Sequence, residues 1–84
     1  MNRIGIIGIV VKDNKEAASS IQTILTEMSE IIIGRMGIPD RIHNINIISV
    51  AVAGDAERIS ALAGKLGRLN NVSVKSAITA LEID

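Results

Sequence analysis

His43 is the single histidine of the chain, and Arg35, Asp40 and Arg41 lie close to it in sequence. An imidazole three residues from a carboxylate can relay a proton or join a metal site. A metal, however, needs three or four convergent ligands, and the chain has no cysteine to add to the one imidazole. No metal and no cofactor are expected. The serines at 19, 20, 29, 49, 60, 73 and 76 have no base placed to activate them. The carboxylates fall mostly where helices begin or on helix surfaces, where Asp and Glu are ordinary. Gly5-Ile6-Ile7-Gly8 lies inside an apolar run, and Gly64-Lys65-Leu66-Gly67 lacks the spacing of a phosphate-binding loop. No catalytic residue is assigned, and the chain does not read as an enzyme. Arg35, Asp40, Arg41 and His43 read as a solvated connection.

The elements that would position any site come from a repeat. Shifted by 41 positions, Ile6-Ile7-Gly8-Ile9-Val10-Val11 falls on Ile47-Ile48-Ser49-Val50-Ala51-Val52. In the same register Asn14 meets Asp55, Ile21 meets Leu62, Leu25 meets Leu66 and Ile33 meets Val74. Each half reads as strand, helix, strand. β-branched runs predict strands at 4–12, 31–36, 45–53 and 72–78. Apolar residues at helical spacing predict helices from Asn14 to Met28 and after Asp55, with Gly67 as a left-handed stop. Gly64 reads as a site of close helix packing. Gly37-Ile38-Pro39-Asp40 and Asn70-Asn71 read as turns, and residues 80–84 as a trailing end.

The fold class that follows is α+β: a ferredoxin-like βαββαβ arrangement, with a four-stranded antiparallel sheet and two helices on one face. The first and third strands are expected at its centre. Residues 1–84 form one domain in this reading, small enough that a single core is only just sufficient. Seventeen isoleucines supply that core, and there is no Phe, Trp or Tyr. Nine basic and nine acidic residues cancel, which removes the electrostatic footprint of a nucleic-acid binder. The missing aromatics remove base-stacking platforms. The N-terminal apolar run is too short to span a bilayer and is followed by no cleavage signal. The expected setting is cytoplasmic, with no membrane and no direct nucleic-acid partner.

With helices on one face, the other should be polar. It is not. If Ile7, Ile9, Val11, Ile48, Val50 and Val52 face the helices, the open side carries Ile4, Ile6, Gly8, Val10, Ile45, Ile47, Ser49 and Ala51. A patch of that kind usually marks an interface. The expected partner is another copy, as a dimer or tetramer, with Gly8 and Ser49 adjacent near its centre. Asp13, Asn14, Gly54 and Asp55 form the matched turns that open the two helices, where anions are favoured. They are the candidate lining of an effector site.

Three stretches resemble a known family. Glu30 to Arg41 carries Arg-x-Gly-x-Pro. Asn46 to Val50 follows. Ile59-x-x-Leu-x-Gly-Lys-Leu-Gly then leads to Val72-x-Val-Lys75. Together they are similar to the small iron-only hydrogenase system regulators, from about Arg3 to Ala77. The resemblance implies a ferredoxin-like regulatory domain, similar to ACT domains and to the C-terminal domain of the nickel-responsive repressor. Such domains oligomerise and bind small effectors between subunits. The repressor's nickel ligands do not carry over to a chain with His43 alone, and the first strand begins too early for the repressor's DNA-binding segment. The loop Lys12-Asp13-Asn14 lacks the glycine that many ACT domains use against an amino acid. The implied function is a regulatory or sensor module acting on a partner protein or through a small effector. The alternatives are an amino-acid-binding ACT-type subunit of a metabolic enzyme and a structural oligomerisation domain.

Overall fold

Strict alternation along two central strands organises the molecule. The computed structural model describes residues 2–12 and 14–83. In it, β1 (Asn2–Lys12) leads to α1 (Lys15–Glu27), a 3₁₀ turn (Ser29–Ile31) and β2 (Ile32–Asp40). Then β3 (Ile45–Gly54), α2 (Ala56–Gly67) and β4 (Val72–Ile83) repeat the unit. All pairings are antiparallel, in the order β2-β3-β1-β4. The repeated strands β1 and β3 are central, as the sequence predicts, and the fold is ferredoxin-like. Among the described residues, no helix is long and apolar enough to cross a membrane.

The core lies on one side of the sheet. Ile7, Ile9, Val11, Val50 and Val52 are at most 1% exposed. They meet Ala17, Ile21 and Leu25 of α1 and Ile59, Leu62 and Leu66 of α2. Full burial of each large aliphatic contributes about 1.5–3 kcal/mol. Gly5 suits its crowded place in β1: a Cβ there would stand 3.1 Å from the Ala77 carbonyl oxygen and 3.3 Å from Val52 Cγ2, with Ile59 of α2 at 3.6 Å. Gly54 likewise suits its place beneath the 3₁₀ turn, since its Cβ would sit 3.0 Å from Ile31 Cγ2.

The repeat extends to single hydrogen bonds. The Ala17 N–H donates to Asn14 Oδ1 at 3.0 Å, and the Arg58 N–H to Asp55 Oδ1 at 2.8 Å. These are N-caps, each satisfying one orphan donor of its helix. Under the 41-residue shift both donor and acceptor coincide.

Four local expectations are corrected. First, Gly37–Asp40 is strand, not turn. β3 offers it a partner at every step, Gly37 opposite Ile48 through Asp40 opposite Ile45. Pro39 is tolerated because β2 is an edge strand and an edge residue can go without its N–H. The reversal is confined to residues 41–44, with Asn44 at φ 58°. There Asp40 Oδ1 accepts from the Ile42 and His43 N–H groups, and Oδ2 accepts the His43 Nδ1–H at 2.7 Å. Second, Gly67 stays helical. The left-handed residue is Asn71, at φ 64°, whose carbonyl accepts from the Lys12 N–H. Asn tolerates that region, so glycine is not required. Third, Gly64 does not serve helix packing: it is exposed, and a Cβ there would meet nothing within 4 Å. Fourth, residues 80–83 continue β4, because beyond a bulge between Arg3 and Gly5 the start of β1 pairs with Glu82 and Ile83. Arg3 bridges to Glu82 at 3.2 Å, and Thr79 Oγ1 donates to the Ile4 carbonyl at 2.8 Å.

Gly5→Ala should lower the unfolding free energy by about 1–3 kcal/mol through overpacking. Gly64→Ala, in open space on a helix, should raise it by about 0.4–1 kcal/mol. Urea titrations of the two variants beside the wild type check both. The hydrogen bond from the His43 ring is the main cause holding the Asp40 carboxyl below its ordinary value, and the His43 and Ile42 N–H groups add to it. A carboxyl lowered by folding stabilises fully above its unfolded value of about 4 and loses that contribution as pH falls through the folded value. His43→Ala should therefore shift the Asp40 titration upward, read by carbon-13 NMR of the carboxyl. An unmoved titration would rule out the ring as the cause.

Candidate functional site

The face away from the helices is built from three rows across all four strands. They run Gly34-Ala51-Ile6-Ala77, then Met36-Ser49-Gly8-Lys75, then Ile38-Ile47-Val10-Ser73. Period-two alternation along each strand puts these residues on one side. Their partners in alternation, Ile7, Ile9, Val50 and Val52, are in the core. Ile6, Val10, Met36 and Ile38 are 45%, 37%, 58% and 46% exposed. Lys75 is the one ionisable side chain in the three rows.

The middle row is shallow at its centre. Gly8 and Ser49 are directly paired, as the repeat predicts. A Cβ on Gly8 would meet nothing nearer than the Lys75 carbonyl oxygen at 3.8 Å. Gly8 pairs regularly with both neighbours and has no positive φ. Neither its conformation nor packing within the chain asks for glycine there, unlike Gly5. Glycine inside a strand costs about 0.5–1 kcal/mol relative to Ala, and it commonly marks close approach by another group. Ile4, Ile45 and Ala51 are half-buried and continue the face. The face has an apolar rim, a dimple and a single cation at the edge. Among the described residues it brings together no nucleophile with a base and no pair of carboxylates.

The sequence reading missed the share of the face carried by the outer strands, β2 and β4. Met36 and Ile38 alternate with Gly37 at strand spacing, but the flanking Gly and Pro hid that signal. Lys75 and Ala77 were not singled out.

The predicted effector turns are not brought together. β1 and β3 run antiparallel, with Lys12 opposite Ile45 and Arg3 opposite Gly54. Asn14 and Gly54-Asp55 therefore sit at opposite ends of the sheet and cannot line one pocket in one chain. The Asn14 and Asp55 side chains are engaged as N-caps. Asn14 borders a depression of about 200 Å³ with Glu16, Ser20, Leu69 and Asn70. Gly54 is buried against Ile31. Asp13 lies outside the described residues. Among the described residues, no three His, Asp or Glu side chains come together in a way that could hold a metal.

Known proteins match this architecture. An uncharacterized protein from Thermotoga maritima, TM1266, has a solved structure that is 37% identical, with a TM-score of 0.89. The match covers 93% of this chain and 98% of that one. The C-terminal domain of the MgtC protein from Mycobacterium tuberculosis shares the fold at 8% identity and a TM-score of 0.72, covering 92% and 87% of the two chains. An ACT domain protein from Streptococcus pneumoniae does so at 15% and 0.62, covering 90% and 89%. No curated protein matches the chain closely enough to compare. A family model described as "TM1266-like: Iron-only hydrogenase system regulator, putative" matches residues 3–76. With nearly its whole length accounted for by that model, the chain belongs to the TM1266-like family.

Proposed function

We propose that the protein is a non-enzymatic regulatory module of an iron-only hydrogenase system, working as a homo-oligomer joined through its open sheet face. The observation that carries this is the bare Gly8 at the centre of an apolar, nearly uncharged surface. A monomer gains nothing from either feature. A second copy seated on the face would bury Ile6, Val10, Met36 and Ile38 and use the dimple at Gly8 and Ser49 for close approach. The family description supports the regulatory part. The module would pass a signal to a partner protein, with a small effector shifting the balance. The Asn14 and Asp55 side chains, already engaged as helix caps, add no support to the amino-acid-binding alternative.

Sedimentation equilibrium at micromolar concentration should give a mass above that of the 8.9 kDa chain. Gly8→Leu has room to fold, because its Cβ would meet only the Lys75 carbonyl oxygen, at an ordinary 3.8 Å. It should return the protein to a monomer with an unchanged far-UV spectrum. A wild type that sediments as a monomer would remove the proposal. An oligomer indifferent to Gly8→Leu would move the interface elsewhere, for example to a strand edge.

A further inference from the structure

The two halves of the repeat differ most where a helix crosses the sheet. In the second half Ile59 packs over Gly5, with its Cγ2 3.6 Å from where a Cβ would be. Ile78, paired with Gly5, stands beside it. Shifted by 41 positions, Ile59 becomes Ala18, Ile78 becomes Gly37 and Gly5 becomes Asn46. The buried Ile59 is replaced by a methyl group in the first half and the partly exposed Ile78 by a hydrogen, and a carboxamide is added. The result is a groove of about 340 Å³ between α1 and the β2–β3 hairpin, with Val11, Ala18, Gln22, Gly37, Asn46 and Ile48 among its lining. All three substituted positions border it. Gly37 has no positive φ, and a Cβ there would meet nothing within 4 Å. Neither the backbone nor the packing of this chain calls for it.

We infer that this groove binds a small neutral molecule, mostly apolar, with one amide-like hydrogen-bonding edge. The volume is at the lower end of ligand pockets, which suits a molecule the size of a blocked amino acid. Val11 and Ile48 give an aliphatic floor. Gln22 and Asn46 each offer both donors and an acceptor, which match the N–H and C=O of an amide or lactam. No charged side chain lines the groove. A zwitterion would lose solvation there without a counter-charge, which is costly. The chemistry thus favours an uncharged ligand over a free amino acid. This deepens the effector part of the proposed function. The groove's substituted positions do not need a second copy: Ala18, Gln22 and Gly37 lie on the helix side of the sheet, while Ile38 and Ile47, which also border the groove, belong to the open face.

The test is a nitrogen-15 NMR titration of the full chain with N-acetyl-leucinamide and, separately, with leucine. The blocked amide should give saturable shifts at the Ala18, Gln22, Gly37 and Ile48 amides, and leucine should not. Ala18→Ile with Gly37→Ile copies the second half's own side chains into the groove. That variant should keep the dispersed spectrum and lose the response. Gln22→Leu should weaken binding about tenfold. No saturable shift with the blocked amide, equal binding of leucine, or a response that survives the double isoleucine variant would each overturn the inference. If the titration is silent while the wild type still sediments as an oligomer, the groove fails and the regulatory reading stands.

Discussion

β1 and β3 pair over ten residues, from Arg3 opposite Gly54 to Lys12 opposite Ile45. A slip of one residue in either strand would reverse its faces. Ile7, Ile9 and Val11 would turn away from the helices, and Ile6, Gly8 and Val10 would turn toward them. The helix side favours this register, since Gly5 there avoids crowding the Ala77 carbonyl and Val52, and Gly54 avoids crowding Ile31 beneath the 3₁₀ turn. Both glycines stand at the same end of the sheet, in opposite central strands. The open face inherits its composition from that choice. Its rows of isoleucine, glycine and serine are the other half of one alternation.

The same pairing separates the two helix starts. Each cap is made locally, by Asn14 or Asp55, and needs only its own turn. Their placement at opposite ends of the sheet comes from the antiparallel pairing of the strands that lead into them. A repeat in sequence therefore produces two equivalent sites far apart, not one doubled site. What distinguishes the halves is side-chain volume at the helix–sheet contact. Ile59 over Gly5 closes it on one side, and Ala18 near Asn46 leaves it open on the other.

Much of this was legible in the sequence. The 41-residue correspondence carried the element order, the central strands, both caps and the sorting of Ile7 and Ile6 to different faces. Those features depend on local spacing and hydrophobic period. The extent of β2 was hidden because Gly37, Pro39 and Asp40 have turn chemistry by themselves, and only the length of β3 opposite them makes a strand. The helix does end at Gly67, but without a left-handed residue: Arg68 caps it in the right-handed region, and Asn71 takes the left-handed conformation, with its carbonyl bonded to the Lys12 N–H. The groove could not be read from the similarity of the halves, since it arises where they differ. The candidate turns were found by residue type, but their distance from each other required the strand directions.

Asn2 lies opposite Ile83 at the end of the β1–β4 ladder, and residues 41–44 are the single covalent tie between the halves. Cutting that tie and joining residue 83 to residue 2 through a two-residue turn would keep the same strand neighbours. The strand order therefore does not depend on which half comes first along the polypeptide. By the same token, two chains that opened this turn could trade halves and rebuild two identical sheets from mixed parentage.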